Sequence, residues 1–254
     1  SKFLAWEQLT PAQTQSFANL LWEDDFSRNL WDKRFESRCN WPKIATRNNP
    51  FREWALARTD FQGLARPGDP EGAAERAWID GRLSHTKNGL FSGMFFAAMI
   101  AAAFTARDAL SIVEAGLGQI PADCRLAHAV LEALNLAGRR AECGECWDEL
   151  RADFTGLHRH HAIPNAVICV LALLCGEGDF GKSIVQAVGL GRNPAANGAS
   201  VGTIMGVFHG ARALPGAWTK PLANTLKTDI RGQARGTIAD VARRCVALLK
   251  PVLY

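Results

Sequence analysis

The chain has 254 residues, 48% apolar and 21% charged, with 29 Lys and Arg against 25 Asp and Glu for a formal charge of +4. That apolar fraction excludes an intrinsically disordered chain, and the length is enough for one large core or two small ones. So mild a positive balance excludes a dedicated nucleic-acid or membrane-surface binder, which needs clustered basic residues.

No basic stretch leads into an apolar one near the start, so no secretory leader is expected. Thr10-Pro11-Ala12-Gln13 combines a capping-box spacing with Pro at the first helical position and predicts a helix over 11–23. Asp24 and Asp25 follow it; neighbouring helical side chains point about 100° apart, so the pair reads as a solvated helix end. Residues 38–68 hold Asn40, Pro42, Asn48-Asn49-Pro50 and Pro67-Gly68 and read as irregular, broken by a short helix over 51–58. Asp69-Pro70-Glu71 is an acceptor cap followed by Pro, predicting a helix that runs to Leu83.

The stretch from Gly89 to Ala106 is apolar on nearly every face and predicts a central, buried helix. Its longest apolar run, Leu90 to Phe104, is interrupted by Ser92 and Gly93 and falls short of the ~20 residues that span a bilayer. Further helices are predicted over 108–116, 121–137, 140–154, 163–175, 179–189, 197–212 and 236–249, with Pro121, Asp179 and Asn197 as start signals. Strand signals are almost absent. Both Asn-Gly pairs, Asn88-Gly89 and Asn197-Gly198, open apolar helical stretches instead of joining alternating runs. The reading is an all-α fold, a single compact multi-helix domain over 1–254.

Three constellations have a chemical and a plain reading. Cys143-x-x-Cys146 with His158, His160 and His161 offers two thiolates and imidazoles to zinc, or is a helix followed by a His-rich turn. Ser84-His85 stands at a helix junction, placed to meet a ligand or to satisfy local backbone groups. Gly191 to Ala199 is either an anion-binding helix entry or an interhelical turn. The seven Cys are odd in number and scattered, which fits reduced thiols in the cytoplasm.

Three stretches resemble the ADP-ribosylglycohydrolase family, which includes the dinitrogenase-reductase-activating glycohydrolases and crystallin-like members. They are RTDFQGLARPGDPEGAAERAWIDGRLSHTKNGLFSGMFFAAMIAAAF (58–104), HAIPNAVICVLALLCGEGDFGKSIVQAVGLG (161–191) and NPAANGASVGTIMGVFHGARALPGAWTKPL (193–222). The resemblance implies an all-α, orthogonally packed fold over a family-like core, 67–254, behind a divergent segment, 1–66. It also implies a cleft with two magnesium ions and hydrolysis of a glycosidic bond to ADP-ribose or a related ribosyl group.

The sequence departs from that pattern where the metals would bind. The family turn Gly-x-Asp-Thr-Asp-x-Asn-Gly-Ala here reads Gly191-Arg192-Asn193-Pro194-Ala195-Ala196-Asn197-Gly198-Ala199. The family's Gly-Asp-Ala-Leu-Gly and Thr-Asp-Asp-Thr motifs do not occur before Pro67, and Asp24-Asp25 lacks the flanking Thr residues. Without carboxylates to offset two divalent cations, no magnesium centre is expected.

The expected function is metal-independent chemistry on a polar or anionic small molecule in the family cleft. His85 and Asp60 are the catalytic candidates, His85 because its ordinary pKa lies near neutrality. Arg58, Ser84, Asn88, Asn165, Arg192, Asn193 and Asn197 are the substrate-binding candidates, with helix N-termini at Asn88 and Asn197 facing developing negative charge. The alternative is a pseudoenzyme that binds a ligand, with a second copy or a partner protein covering the N-terminal side. A weaker alternative is a ribosyl hydrolase with a relocated metal site.

Overall fold

The computed structural model describes Glu53 and residues 58–82, 84–139, 142–228, 230 and 233–249. The helix predicted over 11–23, Asp24-Asp25 and most of the short helix predicted over 51–58 lie outside the described residues. Among those described, the architecture is helical with one two-strand ribbon, as the all-α expectation requires.

Helix α1 (Asp60–Leu64) falls within the stretch expected to be irregular. Five residues are too few to show a helical period, and packing holds this turn in place. Helix α2 (Pro70–Gly81) starts where its signal says: Asp69 Oδ1 accepts from the Gly72 amide at 2.9 Å, and Pro70 needs no partner. It ends two residues before Leu83. The amides of Ser84 and His85 both donate to the Gly81 carbonyl, at 3.0 and 2.8 Å, and the chain leaves the helix there.

Helix α3 (Lys87–Ala102) begins and ends earlier than the predicted 89–106, and every residue from Phe95 to Ala102 is buried. Helix α4 (Ala109–Leu117) opens on a capping box between Asp108 and Ser111. Helix α5 (Arg125–Ala137) starts after Cys124 and not at Pro121. Its first amides are satisfied by Cys124 Sγ, 3.4 Å from the Ala127 nitrogen, and by Asn88 Oδ1, 3.1 Å from that of Leu126.

The span predicted as one helix over 140–154 is α6 (Cys143–Leu150) with a 3-10 turn over Arg151–Phe154. Helix α7 (Ala162–Cys175) is buried at every residue from Ala162 to Leu173. Helix α8 (Phe180–Gly189) is capped by Asp179, whose carboxylate accepts from the Lys182 amide at 2.6 Å. Helix α9 (Pro194–His209) starts three residues before Asn197 and stops at Gly210, whose φ of 72° no helix tolerates.

After a short helix α10 (Gly216–Thr219), strands β1 (Thr225–Lys227) and β2 (Arg235–Thr237) pair antiparallel, and helix α11 (Ile238–Leu249) follows. The ribbon is mostly exposed and lacks the alternation that would announce it in sequence. Among the described residues no helix is long and apolar enough to cross a membrane.

Helices α3 and α7 form the centre of the core, and Phe95, Met99, Ile100, Ile168, Leu171 and Leu173 are fully enclosed there. Helix α2 approaches α3 closely through Ala73 and Ala77 against Ala97 and Ala101. Gly63 of α1 also approaches α3 closely: a Cβ there would stand 2.6 Å from both the Ala97 carbonyl and the Ile100 Cβ. Both neighbours are tied to the α3 backbone and cannot swing away. Gly63→Ala should therefore destabilise the protein by about 1–3 kcal/mol despite the better helix propensity of alanine, as measured by urea unfolding.

Candidate functional site

The loop entering α1 and the end of α2 are joined by one guanidinium. Arg58 Nε donates to Asp80 Oδ2 at 2.7 Å, and its Nη2 reaches the Asp80 carbonyl at 3.3 Å and Ser84 Oγ at 2.9 Å. Ser84 Oγ lies 2.9 Å from His85 Nδ1, so carboxylate, guanidinium, hydroxyl and imidazole form one chain of polar contacts. Asp80 sits in the last turn of α2, where a negative charge opposes the helix dipole, and the Arg58 cation offsets that penalty. An Asp in that position is the sequence signal that would have revealed Arg58's partner.

His85 is buried, with 7% of its surface exposed. Burial first, and then the Arg58 charge, pull its pKa down from 6.5 to about 3. A ring this weakly basic stays neutral at physiological pH and is better suited to hydrogen bonding than to proton transfer.

Asp60 opens α1 and faces another element. Its Oδ2 accepts from Thr203 Oγ1 of α9 at 3.3 Å. Burial raises its carboxyl above the usual range, and the Thr203 bond partly opposes that rise. Thr203 gave no sequence signal, since it lies in mid-helix between Gly202 and Ile204 with no motif around it.

The second group gathers around the entry to α9. Gly191 and Arg192 both have left-handed backbone, with φ of 85° and 59°. Arg192 donates through Nη1 to the Leu157 carbonyl at 2.9 Å and through Nη2 to the Phe154 carbonyl at 3.1 Å. Asn165, only 2% exposed, donates to the carbonyls of Arg159 and His161 at 2.7 and 2.8 Å and accepts from the Asn193 amide at 3.2 Å. Asn197 Nδ2 reaches back to the Gly191 carbonyl at 3.4 Å.

Several of the substrate-binding candidates hold main-chain groups. Asn165, Arg192 and Asn197 bond to backbone groups of neighbouring segments, and Asn88 Oδ1 serves the first turn of α5. The helix starts also shift. Thr86 caps α3 and Asn193 caps α9, so Asn88 and Asn197 sit inside the first turns. The Asn193 side chain makes no capping bond, and Pro194, Ala195 and Ala196 offer no side-chain oxygen. The donor set of this turn does not fit a pair of magnesium ions, which require several carboxylate oxygens.

Thr203, which holds Asp60, lies nine residues beyond Pro194 on α9, about 14 Å along the helix axis. Arg192 also borders an open depression of about 570 Å³ beside Trp147, Asp148, Arg151 and Thr155. With Arg192 committed to carbonyls and Arg151 paired to Asp148 at 3.2 Å, that depression offers little free positive charge.

The zinc spacing is not assembled. Cys143 and Cys146 are enclosed in the core, while His158 and His160 meet at a tilt in the following turn, with ring centroids 5.2 Å apart. Among the described residues no three His, Cys, Asp or Glu side chains are grouped to hold a metal ion.

A family model for ADP-ribosylglycohydrolase matches residues 7–250. The chain belongs to the ADP-ribosylglycohydrolase family. The match takes in most of the residues ahead of Pro67 as well as the altered turn at 191–199. No curated protein and no solved structure matches the chain.

Two expectations follow from this geometry for the ADP-ribosylglycohydrolase fold. Asn165→Ala would strip partners from two carbonyls and an amide and should lower stability by about 3 kcal/mol in urea unfolding. The His85 pKa also predicts the sign of a pH effect. The unfolded ring takes up a proton near 6.5 and the folded ring only near 3, so stability falls as pH drops through that window. Asp60, raised above 3.8, works in the opposite direction. Thermal melts of wild type and His85→Gln across that pH range should show a flatter acid slope for the variant.

Proposed function

We propose that this ADP-ribosylglycohydrolase-family chain binds a polar or anionic small molecule in the family cleft without the magnesium pair, as a ligand-binding member that does not carry out metal-dependent hydrolysis. The observation that carries this reading is the turn entering α9. Where the family places Asp, Thr and Asp, this chain has Asn193, Pro194 and Ala195, and the turn is held by Asn165 and Arg192 through bonds to the main chain. The polar chain at Arg58, Ser84 and His85 supplies hydrogen-bonding groups for recognition, with the Arg58 charge shared with Asp80. A neutral His85 favours binding over proton transfer.

A second reading has one observation in its favour. Asp60 is a carboxyl raised by burial and held by Thr203, which suits a general acid in metal-independent hydrolysis. Titration calorimetry with ADP-ribose, beside turnover assays on an ADP-ribosylated arginine substrate, separates the readings. The binding reading expects equal affinity in magnesium and in EDTA, no turnover in either, and affinity about tenfold weaker or worse for Arg58→Met. Turnover in EDTA that Asp60→Asn abolishes would establish the second reading. Magnesium-dependent turnover would overturn both.

A further inference from the structure

We propose that His161 and Glu53 form an acid-sensitive latch on the start of α7, and that protonating His161 loosens the turn that enters α9. Two contacts tie residue 53 to this helix start. The Ala162 amide donates to the Glu53 carbonyl at 2.9 Å, and Glu53 Oε2 lies 3.8 Å from His161 Nε2. The other ring nitrogen is engaged as well. The Ile163 amide donates to His161 Nδ1 at 3.3 Å, so the imidazole caps α7.

A ring that accepts at Nδ1 carries its one proton on Nε2, on the side of Glu53. A second proton goes to Nδ1. It takes the lone pair that the Ile163 amide uses and sets two N–H groups against each other. The cap then opens, and the imidazolium keeps Glu53 as its counter-charge. His161 therefore has two arrangements, a neutral cap on α7 and a charged partner of Glu53.

The groups around the ring set which arrangement holds. Burial is the largest influence and holds His161 below its ordinary pKa. Glu53, from the segment ahead of α1, works against burial, whereas Arg125 at the start of α5 and Arg192 in the turn before α9 add to it. On the ring's own segment, Arg159 donates to His160 at 3.1 Å and the His160 amide donates to His158 Nδ1 at 3.3 Å. The neutral cap is thus the resting arrangement, and acid is needed to open it.

The connection to α9 runs through one side chain. Asn165 donates to the His161 carbonyl at 2.8 Å and accepts from the Asn193 amide at 3.2 Å. Opening the cap shifts residue 161 and its carbonyl, and Asn165 passes that shift to the turn. The device needs no ligand in the cleft and stands apart from what the cleft binds.

The test is an amide NMR titration of the full chain without ligand, from about pH 7.5 to 4.5, which brackets histidine ionisation. The Ile163 and Asn193 amides should move together, with one midpoint below 6.5. In His161→Asn, which keeps a capping oxygen but takes no proton, neither amide should titrate. In Glu53→Gln the shared midpoint should fall by about 0.5 pH unit or more. The wild-type and Glu53→Gln titrations decide by themselves if His161→Asn does not fold. An Ile163 amide that does not titrate, an Asn193 amide that stays still or follows another midpoint, or an unchanged midpoint in Glu53→Gln overturns the proposal.

Discussion

Two helices without a polar face constrain everything else in this protein. Along most of their length α3 and α7 are enclosed on all sides, so neither can display a polar group except near its ends. Polar side chains gather at their N-terminal ends: Ser84, His85 and Asn88 for α3, and His161 and Asn165 for α7. The two ends follow the same plan. Each Asn turns its side-chain oxygen to the start of another helix, Asn88 to the Leu126 amide of α5 and Asn165 to the Asn193 amide preceding α9. One device answers two demands, satisfying orphan helix amides and fixing where the next helix begins.

That device explains which parts of the molecule were legible in the sequence. Caps made within one segment were readable: Asp69 and Asp179 each accept from an amide three residues on, and the helices start where those residues predict. Starts assisted from a distance were not. Residue 125 begins a helix with help from Asn88, and residue 194 begins one after Asn165 has bound the preceding amide. Pro121 and Asn197 were the nearest local signals, and both gave the wrong start. Asn-Gly was a misleading cue in the same way, because the pair lies inside the helix at both sites, Gly89 third and Gly198 fifth in its helix.

The candidate site divides along a similar line. The residue types singled out by the sequence are real polar groups at helix ends, but their partners came from elsewhere in the chain. Asp80 and Thr203 complete the Arg58 and Asp60 contacts from 22 and 143 residues away. A single sequence gives the donors and not their pairing, and the pairing decides that Arg192 and Asn165 serve the backbone. The family resemblance named the altered turn, and the structure supplies the reason its shape is kept.

That reason has a consequence for how the turn can change over generations. Gly191 and Arg192 hold its left-handed bend, and two carbonyls at 154 and 157 clamp it through the Arg192 side chain. Shape and donor chemistry are thus assigned to different residues. The side chains at 193 to 196 take no part in the clamp, so oxygen-bearing and alkyl residues can exchange there without unravelling the turn.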